Sequence, residues 1–161
     1  MNNIIKFKNL YESAVKEHFA GNELCALKLL NNALSLGCTF PQRDIAEAYQ
    51  LRGSVNCCLE DFERGLDDFN ESINLNPKDD LSFYFIALIE LNNRNFKEAL
   101  NNFDIAINLN PNDSDYFFFR GDAKSNLDQE EEAIKDFDKA IKLNPNDSDY
   151  FYLRGDSKFF L

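Results

Sequence analysis

Three prolines, Pro77, Pro111 and Pro145, stand 34 residues apart and sit in near-identical phrases, "INLNPKDD", "INLNPNDS" and "IKLNPNDS". Self-similarity at this period marks a chain built from one supersecondary unit copied in series, because such a unit cannot bury its apolar flank alone and must lean on the next copy. With the proline at position 32, the units run 46–79, 80–113 and 114–147, followed by a partial unit at 148–161. An earlier span, 7–40, fits the same columns without the proline, and "PQRDI" at 41–45 separates it from the next unit. The stretch "NPNDSDYFFFRGDAKSNL" (110–127) returns at 144–161 as "NPNDSDYFYLRGDSKFFL".

The columns of this alignment are helical. Position 8 is always small: Ala14, Gly53, Ala87, Gly121, Gly155. So are position 20 (Ala26, Gly65, Ala99, Ala133) and position 27 (Ala33, Ser72, Ala106, Ala140). Position 24 is always large and apolar (Leu30, Phe69, Phe103, Phe137), as is position 28 (Leu34, Ile73, Ile107, Ile141). Positions 20, 24, 27 and 28 share one stripe of an amphipathic helix, here called helix B. The first half of each unit makes helix A. Helix axes approach to about 8–10 Å only where the contact residues are small, so the small columns predict a tight antiparallel pair. The Asn-Pro step ends helix B, and Asp79, Asp113 with Ser114, or Asp147 with Ser148 can cap the helix that follows. No stretch alternates with the two-residue period of a strand. Position 7 is arginine where position 23 is aspartate (Arg52 with Asp68, Arg120 with Asp136), but Ser13 or Ile86 where it is Leu29 or Asn102. The co-occurrence predicts an Arg–Asp bridge between the two helices of a unit.

Composition narrows the function. The formal net charge is −11, which argues against binding a nucleic-acid backbone or an anionic membrane surface. The four cysteines, Cys25, Cys38, Cys57 and Cys58, form no C-x-x-C pair, and the single His18 completes no zinc quartet with them at a recognised spacing. The opening segment has no apolar leader core, and no run approaches the length of a membrane span. The expectation is a cytoplasmic protein with reduced thiols. The chain has no nucleotide-binding glycine loop and no nucleophile elbow, and no partner is identifiable that would make His18 a general base. The acids of "DQEEE" (128–132) suit a helix start and lack calcium-loop spacing. Neither an enzyme, a cofactor nor a metal is expected.

Taken together, the columns resemble the tetratricopeptide repeat. In 114–147 the matching residues are Phe117, Gly121, Ala133, Phe137, Ala140 and Pro145. In 80–113 they are Phe83, Ala87, Ala99, Phe103, Ala106 and Pro111, and in 46–79 Tyr49, Gly53, Gly65, Phe69, Ser72 and Pro77. Position 11 departs from the family tyrosine, being Glu17, Asn56, Glu90, Lys124 and Lys158. The first unit has Leu10 for its aromatic and Cys38 for its proline. The resemblance implies an all-α, right-handed superhelical αα-repeat solenoid, a single array of four helix pairs plus a C-terminal half-repeat helix.

The resemblance also implies a concave groove lined by helix A that grips a peptide or partner segment, as a protein-interaction scaffold. Carried over position by position, its lining includes Tyr84, Phe85, Leu88, Asp115, Phe118, Phe119, Asp122, Tyr152 and Asp156, with Leu91, Asn92, Ser125 and Asn126. The clamp that grips acidic tails in some relatives would fall on Tyr11, Val15, Leu51, Leu81 and Phe85, none of which matches. An apolar or basic protein segment is therefore the expected partner. Phe118 and Phe119 also read as core aromatics. A regulatory or chaperone-like module of a larger assembly is the alternative function. Phe151, Phe159, Phe160 and Leu161 leave the closing half-unit apolar, which suggests a piece of a longer chain or self-association through that helix, rather than a cap.

Overall fold

A computed structural model of the chain describes residues 3–36 and 40–160. Cys38 and Leu161 lie outside the described residues. Among those described, the chain forms helices α1 (Asn3–Phe19), α2 (Glu23–Leu34), α3 (Gln42–Cys58), α4 (Phe62–Leu75), α5 (Asp80–Asn92), α6 (Phe96–Leu109), α7 (Ser114–Ser125), α8 (Glu130–Leu143) and α9 (Ser148–Phe159), with no strand. None is long and apolar enough to cross a membrane. The fold is an all-α helical repeat. Two compact units divide it, Met1–Ser82 and Phe83–Leu161.

In the first unit, Phe7, Ala14, Ala26, Leu30, Ala33, Phe40, Ala48 and Val55 form a buried cluster. In the second, Ala106, Ile107, Tyr116, Phe117, Ala140 and Tyr150 form one cluster, and Ala87, Ala99, Phe103 and Ala123 another. The small columns sit where helices meet. A Cβ placed on Gly53 would stand 2.7 Å from the Phe69 ring, and one on Gly121 would stand 2.8 Å from the Phe137 ring. Both rings are fully buried. Position 8 is thus a socket on helix A, and position 24 of helix B fills it.

The three prolines stand at equivalent corners. Asn76, Asn110 and Asn144, which precede them, have φ/ψ of −135/87°, −138/92° and −133/93°, the extended conformation that a following proline imposes. Each asparagine side chain accepts from the backbone N–H two residues on, at 3.3 Å every time. The next aspartate then caps a helix: Asp113 accepts from Asp115 N and Asp147 from Asp149 N, both at 3.0 Å, and Asp79 from Ser82 N at 3.3 Å. The cap is the aspartate; Ser114 and Ser148 are the first helical residues. Asp79 is the most engaged of the three. Its carboxylate also accepts from Gln50 Nε2 at 3.0 Å and from Ser82 Oγ at 2.5 Å. Ser72 Oγ, at 2.6 Å from Asp79 and 2.9 Å from Ala46 O, donates its one proton to either.

The turns from helix A to helix B share one device that the columns do not show. Gly21, Glu60, Arg94 and Asp128 all stand at position 15 and all have positive φ, 75°, 62°, 62° and 58°. The N–H of each bonds the carbonyl three residues back, and the next N–H bonds five residues back, as in Asp61 N to Asn56 O at 2.9 Å. This is a Schellman ending. Only one of the four is glycine, although left-handed backbone costs other residues about 1 kcal/mol or more. Glu60→Gly is therefore expected to raise stability by about 1 kcal/mol in urea unfolding, with Gly21→Ala moving it the other way.

Candidate protein-interaction surfaces

The predicted Arg–Asp pairs are present and bidentate. Arg52 donates to Asp68 through Nε (2.9 Å) and Nη2 (2.6 Å), and Arg120 to Asp136 through the same atoms (2.8 and 2.5 Å). Both aspartates are 4 % exposed. The remaining nitrogen, Nη1, reaches back to the preceding helix B: Arg52 to Asn31 Oδ1 (2.8 Å) and Arg120 to Asp104 Oδ1 (2.7 Å). Each arginine therefore ties three helices.

Position 11, which departs from the family tyrosine, belongs to the same clamp. Asn56 donates to Asp68 at 2.9 Å, and Lys124 to Asp136 at 2.7 Å. Where no aspartate stands at position 23, position 11 is glutamate and turns elsewhere. Glu17 accepts from Asn22 at 2.8 Å, and Glu90 from Asn95 at 2.7 Å. The chain thus holds two kinds of helix pair, one with an Arg–Asp–donor clamp and one with a Glu–Asn turn lock.

In the second unit, the expected groove residues divide into three settings. Leu88, Phe119 and Asp122 line one cleft of about 430 Å³ with Leu91, Asn92, Arg94, Phe96 and Asn126. Asp122 is half-buried, and burial raises its pKa, although Asn126 Nδ2, 3.0 Å away, partly offsets the rise. Tyr84 and Phe118 sit in the aromatic packing instead. Tyr84 meets Phe85, Phe103, Tyr116 and Phe119 at ring centroid distances of 4.9–6.2 Å. Burial pushes its hydroxyl pKa up. Phe118 meets Phe119 (4.9 Å), Tyr150 (4.8 Å) and Phe137 (6.0 Å). Asp115 accepts from the Tyr150 hydroxyl, whose pKa burial and that bond push up to about 12. Tyr152 and Asp156 are exposed on α9, and Asp156 lines a separate recess with Ser125, the 128–132 acids and Phe160.

Arg94 and Phe96 were not visible as cleft residues, because they lie at the turn and the start of helix B, outside the helix A columns. His18 also has company that no spacing announced. Its Nδ1 lies 2.7 Å from Glu23, and the Cys58 thiol stands with them inside 4.8 Å. The two turns that bring this trio together join residues 40 positions apart in sequence. It is one group short of a closed tetrahedral site.

The tetratricopeptide-repeat family model matches residues 114–147. Among solved structures, residues 41 to the end of MamA from Desulfovibrio magneticus RS-1 superpose with a TM-score of 0.82 at 21% identity, covering 96% of this chain and 84% of that one. YrrB, a TPR protein with an unusual peptide-binding site, gives 0.74 at 20%, covering 91% and 73%. The first TPR of Spaghetti (RPAP3), bound to the HSP90 peptide SRMEEVD, gives 0.69 at 19%, covering 74% and 93%. At these identities the likeness speaks for the fold. No curated protein matches the chain.

Proposed function

We propose that this chain, a tetratricopeptide-repeat protein, is a protein-interaction module whose α5–α7 cleft holds an apolar, basic segment of a partner. The observation that carries this reading is Asp122. It is a carboxylate held half out of water on a cleft wall with Leu88, Leu91 and Phe119, bonded by the Asn126 amide, with Arg94 on the same cleft. Such a group gains most from an arriving lysine or arginine, and the apolar walls gain from the aliphatic or aromatic residue beside it. Peptides are also what YrrB and the RPAP3 repeat are described as binding.

Selection of a random peptide library on the wild-type protein is the test. Enriched sequences should pair a lysine or arginine with a large apolar residue. Asp122→Lys should weaken the best of them by about tenfold or more, a charge pair being worth about 1.4 kcal/mol here. Enrichment of acidic peptides indifferent to Asp122 would refute the assignment. Tyr84→Ala and Phe118→Ala are poor probes, because both rings are packed in the unit's aromatic core.

This half-buried carboxylate has a signature without ligand. A raised pKa in the folded state means that Asp122 favours folding when protonated, and that this advantage is lost as pH rises through its folded pKa. Asp122→Asn should therefore match wild type in acid and exceed it in stability at neutral pH. Equal melting curves at both would remove the desolvation argument.

A further inference from the structure

Three columns converge where one helix pair meets the next helix A: positions 12 and 17 of one unit and position 13 of the unit that follows. In the second compact unit this corner holds Leu91, Phe96 and Asn126, which line the α5–α7 cleft, and again Ser125, Glu130 and Phe160, which line the acidic recess. In the first compact unit the same three columns are His18, Glu23 and Cys58. His18 is the last residue but one of α1, Glu23 opens α2 and Cys58 ends α3. Position 12 meets position 17 in both compact units: Ser125 Oγ donates to Glu130 at 3.0 Å, and His18 Nδ1 lies 2.7 Å from Glu23. Cys58 makes the first corner different. One imidazole nitrogen, one carboxylate oxygen and the sulfur all lie within 4.8 Å of one another. The side chains of His18 and Glu23 are 19% and 17% exposed, whereas Cys58 is exposed, so the trio is walled by helices on one side and open to solvent at the sulfur. The adjacent thiol faces elsewhere: the Cys57 sulfur stands 2.7 Å from a Cβ built on Gly65 of α4.

We propose that His18, Glu23 and Cys58 bind a divalent transition-metal ion of the zinc type, with the fourth tetrahedral position left to water. Bonds of about 2.0–2.3 Å to nitrogen, oxygen and sulfur are what such an ion makes, and ligand atoms already gathered this closely reach one centre by small side-chain rotations. A carboxylate and a thiolate neutralise the two positive charges, and the imidazole binds as the neutral ring. The donor set selects for zinc-like ions, since calcium and magnesium take oxygen ligands alone. Each ligand stands at a helix end, and the turn between His18 and Glu23 is set by the left-handed Gly21, so no loop has to order around the ion. Bound there, the ion would tie α1, α2 and α3 at one corner. The site lies in Met1–Ser82 and the α5–α7 cleft in Phe83–Leu161, so either assignment can fail while the other stands.

Cobalt(II) is the probe. Bound tetrahedrally through sulfur it gives a thiolate charge-transfer band in the near ultraviolet and intense visible bands, whereas cobalt on surface carboxylates gives neither. Titration of the full chain, kept reduced by a non-thiol reductant, should saturate at one cobalt ion per chain, and Zn²⁺ should displace the spectrum. Cys58→Ser should remove the charge-transfer band; because the residue is exposed, the circular dichroism spectrum should not change. His18→Ala and Glu23→Gln should each abolish saturation at one equivalent, while Cys25→Ser and Cys57→Ser keep the wild-type spectrum. Zn²⁺ should raise the melting temperature of the wild type and not that of Cys58→Ser, because a ligand that binds only the folded state stabilises it. The proposal is overturned if millimolar cobalt gives no charge-transfer band, in which case His18 and Glu23 form an ion pair and nothing more. It is overturned equally if the band survives Cys58→Ser or is lost with Cys25→Ser or Cys57→Ser.

Discussion

Asp136→Ala is expected to lower the stability of the folded chain by about 3–5 kcal/mol, the usual loss when one member of a buried ion pair is removed. The carboxylate accepts three charge-assisted bonds, two from Arg120 and one from Lys124. Its side chain is 6% exposed, and those of its two donors are each 18% exposed. Without it, two cations are left facing a mostly buried contact between helices, and of the two only Arg120 keeps a carboxylate, the outlying Asp104. The expected loss is a desolvation penalty and not the net worth of the clamp. Replacing Arg120, Lys124 and Asp136 together by apolar residues of similar size should therefore cost far less than Asp136→Ala alone. Arg64→Ala is the contrast: its pair with Asp61 is 3.3 Å long and its side chain is 74% exposed, so a change within about 0.5 kcal/mol is expected. Urea midpoints of the variants test this, and an Asp136→Ala loss no larger than that of Arg64→Ala would show that the clamp is not buried in solution.

The second large effect is at the socket. Gly121→Val should destabilise by about 2–3 kcal/mol, since a branched side chain must be forced against a ring that cannot retreat. The first added carbon already stands 2.8 Å from Phe137, which is fully buried. At the same column of α9 the sign reverses. Gly155→Ala meets nothing within 4 Å, so only the better helix propensity of alanine counts, and stability should rise by about 0.5–1 kcal/mol. Opposite shifts in thermal melts from two glycines of one column would separate packing from propensity inside a single chain. A loss at Gly155→Ala comparable to that at Gly121 would mean that something covers that column of α9 in solution.

The helices, the small columns, the proline corners and the Arg–Asp pairs could all be read from the chain, because each repeats at a fixed offset and each has a local physical cause. The role of position 11 was hidden. Asn56 and Lys124 differ in chemistry, and only the geometry shows that both donate to the same aspartate. The left-handed residue at position 15 was equally silent, since Glu60, Arg94 and Asp128 carry none of the glycine signal that such a turn normally displays. For the cleft, the family resemblance placed Leu88, Phe119 and Asp122 on the groove side of helix A but could not separate them from Tyr84 and Phe118. Separating a lining ring from a packed one requires knowing which neighbouring ring lies 5 Å away, and that neighbour comes from another helix, whose approach no single column encodes.

The central claim is that residues 34 apart hold the same place in successive helix pairs. Nuclear Overhauser contacts from the glycine α-protons test it most directly. Strong contacts from Gly53 to the Phe69 ring and from Gly121 to the Phe137 ring, with no aromatic contact of that kind at Gly155, are the predicted result. Absence of either of the first two contacts, or a Phe137 contact at Gly155, would contradict it.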